Sequence, residues 1–231
     1  VKVVQRLVPD NKKPKYNVNG KLVILPMTPE YITIHETDNT NTGANADAHS
    51  RLQLNGNSRK ASWHIQVDCQ QAIQSLPFYE AGMHAGDGTN GSGNRKSIGV
   101  EICVNSDGDY EKALQNAAEV VGQLMKQFSI PSHKVVPHKH WSGKNCPRNL
   151  LQGRWQEFVN RCIAERGKLE QGVDEVKEQK LSDAQEDVRQ EAIRLGITDG
   201  NDPFRVVNQY YVWNATIPLA KRIEELEKKM K

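Results

Sequence analysis

One pair of neighbouring stretches restricts this chain more than any other. In Ser97-Ile-Gly-Val-Glu-Ile-Cys-Val104, Ile98, Val100, Ile102 and Val104 alternate with Gly99, Glu101 and Cys103, the two-residue period of a strand with one apolar face. Directly after it, residues 111–128 carry Leu114, Ala117, Ala118, Val121, Leu124, Met125 and Phe128 at spacings of three and four, the pattern of an amphipathic helix. Pro131 ends that helix. A strand and a helix that each have one apolar face must bury those faces against each other or against like elements, which points to a layered α/β domain.

The rest of the first 165 residues reads the same way. Tyr31–Glu36 is rich in β-branched residues and predicts a strand that runs into the polar turn Asp38-Asn-Thr-Asn-Thr-Gly43. Residues 43–54 are Ala-rich and suit a helix that ends near Asn55-Gly56. In residues 61–68, Trp63, Ile65 and Val67 alternate with His64, Gln66 and Asp68, a half-buried strand, and 72–76 reads as another short one. Val135-Val136 predicts a short strand and 150–164 a closing helix. Pro9, Pro14, Asn11, Asn17 and Gly20 make the first twenty residues an irregular lead-in, with short β-like pieces at Val3–Val8 and Leu22–Leu25. The expected fold is α/β, a mostly mixed central sheet flanked by helices, with a small C-terminal helical module.

That module follows from length and composition. At 231 residues the chain exceeds one typical domain, and after Gly167 it becomes highly charged with sparse apolar positions. A helix N-cap is expected at Ser182, a turn at 196–203, and a helix from about Arg205 that Pro218 must kink or split. The expected division is a catalytic domain over 1–165 and a helical module over 166–231, serving wall binding or self-association. Residues 165–231 hold 12 Lys and Arg against 14 Asp and Glu, which leaves 19 against 14 for the first part. A mildly cationic first domain is drawn towards an anionic polymer. No apolar run approaches the roughly 20 residues that span a bilayer, and Val1-Lys-Val-Val-Gln-Arg lacks the apolar core of a secretory signal. Neither a membrane nor a nucleic-acid partner is expected, and synthesis is expected in the cytoplasm. Cys69, Cys103, Cys146 and Cys162 lack the paired short spacings of a disulfide or four-Cys zinc scaffold, so reduced thiols are expected.

Chemistry concentrates in Pro137-His-Lys-His-Trp-Ser-Gly-Lys-Asn-Cys-Pro147. Two imidazoles and a thiol share a segment broken by Gly143, Asn145 and Pro147, a loop in which side chains can converge. His and Cys are ready zinc ligands, and a catalytic zinc keeps three protein ligands and one open position. One His and Cys146 from this loop leave a third ligand to find, and His35, at the end of its strand, is the first candidate. His138 and His140 compete locally, and both together would make a closed structural site. Gly82, Gly86, Gly88, Gly91 and Gly93 exclude regular structure from 82–94 and suit a loop lining a substrate; a strand rather than a helix follows, which speaks against a phosphate loop.

Taken in order, ITIHET, HAGDG, SIGVEIC and HxxWSGKxCP resemble the type-2 N-acetylmuramoyl-L-alanine amidases, in particular the endolysins of Bacillus phages and prophages. The likeness spans roughly residues 1–160. It implies a zinc hydrolase that cuts peptidoglycan between N-acetylmuramic acid and the L-alanine of the stem peptide, with release through a holin. It implies Zn²⁺ on His35, His138 and Cys146, the eight-residue spacing of the last two matching the family. It implies Glu101 as the proton-transferring carboxylate, against a plain solvent-facing strand Glu, and Lys144 as an oxyanion-stabilising cation, against a loop lysine. His84 resembles a substrate-contacting His, against simple loop packing. His64 and Trp63 are further substrate-binding candidates, with His64 expected near the site or in the core. Some relatives carry Tyr where Trp63 stands; indole cannot donate that proton, which shifts the load to Glu101 and Lys144. The rival reading is a peptidoglycan-recognition module without catalysis, a branch that typically lacks the Cys ligand.

Overall fold

A computed structural model describes residues 1–177, with side chains through Gln171. The expectations for Ser182, the 196–203 turn and Pro218 lie outside the described residues. Val1–Gln171 forms one compact unit. Its centre is a six-stranded sheet in the order β1 (Val3–Gln5), β6 (Ala72–Gln74), β5 (Ile65–Val67), β7 (Ser97–Ile102), β4 (Tyr31–Glu36), β8 (Val135–Pro137). The β5–β6 pair is antiparallel and every other pair is parallel, so the sheet is mixed, as expected.

The two-residue period of the strands splits this sheet into faces of opposite character. Ile32 and Ile34 of β4, Ile65 and Val67 of β5, and Ile98, Val100 and Ile102 of β7 are fully buried in one cluster with Leu114, Ala117, Ala118, Val121 and Met125 of α3 (Tyr110–Gln127). Burying each such Ile contributes about 1.5–3 kcal/mol. Asp109 starts α3 by accepting from the Lys112 N–H at 3.0 Å. Outside α3 lies α5 (Trp155–Lys177), which adds Phe158 and Cys162 to the core. Gly122 permits this contact: a Cβ there would stand 2.8 Å from the Arg166 backbone nitrogen.

The other face carries Thr33, His35, Gln66, Ser97, Gly99 and Glu101. Register aligns His35 with Glu101, and Glu101 with Gln66. The helix α1 (Ala46–Leu54) packs on part of this face, with Ala46 against Ile73 and Cys103. Asn45 caps it, its side-chain oxygen accepting from the Ala48 N–H at 3.0 Å.

Four local expectations change. Residues 16–23 are a hairpin, β2 (Tyr16–Val18) with β3 (Lys21–Val23), rather than part of an irregular lead-in. Asn19 and Gly20, at φ of 51° and 80°, form the tight turn that the Asn-Gly dipeptide encodes. The Gly-rich loop contains a short helix, α2 (Ser92–Lys96), because Asp87 accepts from the Gly93 and Asn94 N–H groups at 2.6 and 3.1 Å and holds its first turn. The loop after β8 contains one helical turn, α4 (Lys139–Ser142), closed by Gly143 in the left-handed region. The closing helix begins at Trp155 instead of 150, since Gly153 adopts φ 95°, which a helix cannot continue through. α5 runs through residues 165 and 166 without a break. Among the described residues, no helix is long and apolar enough to cross a membrane.

Candidate active site

The polar sheet face opens into a cavity of about 920 Å³ whose lining includes His35, Glu36, His49, Arg59, Trp63, His84, Glu101, His138, Lys144 and Cys146. Three of these converge. One ligand atom each from His35, His138 and Cys146 lies within 4.8 Å of the others, and all three residues are buried. Strand β4 carries His35 as its penultimate residue, the neighbouring β8 leads into His138, and the chain returns through Gly143 to bring Cys146 back. Backbone bonds lock that return, from the His138 N–H to the Ile34 carbonyl and from the Lys139 N–H to the Cys146 carbonyl, both 3.1 Å. Glu36 ties it further: one carboxylate oxygen accepts from the Asn149 N–H at 2.8 Å and the other from the Tyr110 hydroxyl.

The imidazoles are oriented from behind. His35 Nε2 faces His84 Nδ1 at 3.0 Å, and His84 Nε2 faces the Ser97 carbonyl at 3.1 Å. A carbonyl only accepts, so His84 donates from Nε2, His35 donates from Nε2, and His35 Nδ1 is left with its lone pair directed at Cys146 Sγ, 3.9 Å away. Two donors on one zinc lie roughly 3–4 Å apart. His138 Nδ1 is buried and has no hydrogen-bond partner, a costly arrangement unless an ion takes the lone pair. The donor set and this orphaned nitrogen fit a zinc ion. Burial holds His35 far below the ordinary imidazole range and lowers His138 as well, with the Lys144 charge acting in the same direction on both. Both rings are therefore neutral and able to ligate. Burial pushes the Cys146 thiol up to about 12, so an ion must displace its proton.

Glu101 is half-buried in the same cavity, and its Oε2 is shielded from solvent without a hydrogen-bond partner. Burial raises its carboxyl to about 7, against the opposing pull of Lys144 and Arg59. Lys144 is exposed and lines the cavity. His140 is exposed too, stacked edge-on against Trp141, and stands outside the ligand group. Trp63 lines the cavity with its Nε1–H bonded to Gln66 Oε1 at 2.8 Å.

Two of the candidate substrate contacts have their ring nitrogens engaged within the protein. His64 is fully buried and does not line the cavity: its Nε2 meets the Glu80 carbonyl at 2.9 Å and its Nδ1 accepts from the Gly99 N–H at 2.9 Å. Both nitrogens are engaged by backbone groups, and neither is left for a substrate. His84 borders the cavity, but its two nitrogens are taken by His35 and Ser97, which makes it a positioning residue for His35. Sequence reasoning passed over Glu36, Gln66, His49 and Arg59. The ITIHE motif offered a signal for Glu36, whereas nothing local marked the other three.

An α/β sheet that presents two imidazoles and a thiol beside a shielded carboxylate brings together side chains that could hold a metal ion and move a proton. The comparisons name the family. The profile of the N-acetylmuramoyl-L-alanine amidase family matches residues 25–149, and the chain belongs to that family. It is 55% identical over 134 residues to the N-acetylmuramoyl-L-alanine amidase CwlH of Bacillus subtilis (strain 168), covering 58% of this chain and 53% of that protein. It is 48% identical over 160 residues to the amidase XlyA of the same organism, covering 68% and 50%. The chain thus spans about half the length of these curated relatives. The solved catalytic domain of XlyA superposes with a TM-score of 0.63 at 47% identity, covering 70% of this chain and 99% of that one.

Proposed function

We propose that this protein is a zinc-dependent amidase that hydrolyses the bond between the lactyl carboxyl of N-acetylmuramic acid and L-alanine in bacterial peptidoglycan, in the manner of an endolysin. The observation that carries this reading is the His35–His138–Cys146 cluster sharing one cavity with a carboxylate whose Oε2 has no partner. The named relatives support the choice of bond. Zinc, when bound, lowers the pKa of water towards 7 and polarises a carbonyl.

The protein's own groups supply the rest. His35, oriented by His84, and His138 offer neutral nitrogen donors, and Cys146 offers sulfur. Glu101, with a carboxyl near 7, takes the proton from the attacking water and returns it to the leaving nitrogen, both at neutral pH. Lys144, whose charge reaches His35, His138 and Glu101, opposes the negative charge that develops on the carbonyl oxygen. Trp63, held by Gln66, forms an apolar wall of the cavity.

Digestion of purified cell wall, with separate labelling of new α-amino groups and new reducing sugars, tests the reading. New alanine amines without new reducing ends are the expected result. New reducing ends would mean a glycosidase, and neither product would leave a recognition module. Cys146→Ser is expected to lose bound zinc by elemental analysis and activity together; a fully active, zinc-free variant would overturn the ligand assignment.

A further inference from the structure

Two consecutive residues of the Gly-rich loop stand behind the two imidazoles of the metal cluster. His84 Nδ1 faces His35 Nε2 at 3.0 Å, so His35 donates from Nε2 and keeps Nδ1 bare. Ala85 does the same for the other ring. A Cβ at Gly86 would stand 3.6 Å from His138 Nε2, which sets the Ala85–Gly86 peptide against that nitrogen, and the Ala85 carbonyl accepts from it. The bare atom of His138 is then Nδ1, in agreement with its lack of a partner.

What holds those two residues is a single side chain. Asn94 is 5% exposed, and its Oδ1 accepts from the His84 N–H at 2.9 Å and from the Ala85 N–H at 2.8 Å. Its Nδ2 donates to the Gly88 carbonyl at 3.0 Å, and its own N–H is held by Asp87 Oδ1 at 3.1 Å. The loop is also seated on the turn that carries His138: a Cβ at Gly93 would stand 2.5 Å from the Ala85 side chain and 2.7 Å from the Trp141 ring. We infer that Asn94 is the positioning residue for both metal-binding imidazoles: its one amide oxygen fixes His84 and Ala85 together, and through them the tautomer of His35 and of His138. A neutral imidazole carries its proton on either nitrogen, so a ring that is not held from behind can turn an N–H towards the ion and lose the contact. The role presupposes His35 and His138 as ligands, as in the amidase reading, and adds that both present Nδ1 before an ion arrives.

The test reads the histidine rings of the full chain by nitrogen-15 NMR, with zinc bound and after its removal by a chelator. His35 and His138 are expected as single Nε2–H tautomers in both states. In zinc-free Asn94→Ala the two rings should average between tautomers together, while His64, held by the Glu80 carbonyl and the Gly99 N–H, stays unchanged. Zinc affinity, measured by chelator competition, should fall about tenfold or more in Asn94→Ala. Asp87→Asn, which loosens the same support one step away, should give a smaller fall of the same kind. Phe158→Leu serves as the control: it removes packing from the buried core at α5, far from the loop in sequence, and should lower the thermal midpoint while leaving tautomers and zinc affinity as they are. An Nδ1–H tautomer on either ring of the full chain, rings that average there once zinc is removed, or two rings unmoved in Asn94→Ala would overturn the role of Asn94. So would an equal loss of zinc in Phe158→Leu. If Asn94→Ala does not fold, the full chain and Asp87→Asn decide by the same readings. Tautomers that average in Asn94→Ala with zinc affinity unchanged would uphold the positioning role and count instead against His35 and His138 as ligands.

Discussion

Glu101 is the residue on which hydrolysis should depend most steeply. Glu101→Gln keeps the shape and removes the proton acceptor, so kcat is expected to fall by roughly 10²–10⁴-fold, with zinc content and thermal midpoint nearly unchanged. A variant that keeps kcat within tenfold would remove Glu101 from the proton path. His64 carries a different prediction. Burial lowers its imidazole from 6.5 to about 4, so between those values the unfolded chain binds a proton that the folded chain refuses. The corresponding stability, on the order of 3 kcal/mol, is fully present above pH 6.5 and is lost progressively as pH falls towards 4. Denaturant titrations at pH 7 and pH 5 should show this loss, and His64→Gln, which can still bond the Glu80 carbonyl, should flatten it. An unchanged pH slope in that variant would refute the assignment. The His-rich motifs told us that imidazoles matter here. They did not tell us which ring meets the cavity and which meets backbone, because that depends on carbonyls of Ser97 and Glu80 that other elements deliver.

At the scale of elements, strand β7 is the informative case. Its alternation was legible from sequence, and it places Glu101 on the polar face beside His35. The role of Gly99 was not legible: a Cβ there would stand 2.8 Å from the His84 ring, so the glycine makes room for the residue that orients His35. Gly99→Ala is expected to cost about 1–3 kcal/mol of stability through overpacking and to weaken zinc affinity as His84 is displaced; equilibrium unfolding and competition with a chelator measure the two effects. α4 gives a second case. The Trp141 indole N–H donates to Thr33 Oγ1 at 2.8 Å, and the Tyr31 ring meets Trp141 edge-on with centroids 5.1 Å apart. These contacts fasten the loop that carries His138 and Cys146 to strand β4. Trp141→Phe keeps most of the packing and loses the hydrogen bond, and it should lower zinc affinity by about tenfold while folding is retained. The hairpin at 16–23 was readable from Asn19-Gly20 alone; α2 was not, since Asp87, the residue that starts it, lies inside a run whose glycines argue against any helix.

For the whole molecule, the sheet and its covering helices form one unit through Gln171, and the solved catalytic domain that superposes on it covers a similar length. A fragment of residues 1–177 is therefore expected to unfold in a single cooperative transition and to cleave a soluble muramyl peptide with kcat/KM within about twofold of the full chain. We propose that the remaining residues serve wall binding or self-association, so the fragment should lose activity on intact wall or change its sedimentation. A fragment that fails to fold would show that the catalytic unit needs the later residues.

The amino-acid sequence by itself determined the α/β class, the apolar faces of β7 and α3, and the His and Cys motifs, because these follow from periodicity and from the chemistry of neighbouring residues. The tertiary structure alone decided that His84 backs His35, that His64 is spent on backbone, and that His49 and Arg59 share a cavity with Glu101. Each of those relations joins residues that are far apart in the chain. A side chain's role there is set by which donor or acceptor folding brings within about 3 Å of it, and no local pattern encodes that distance.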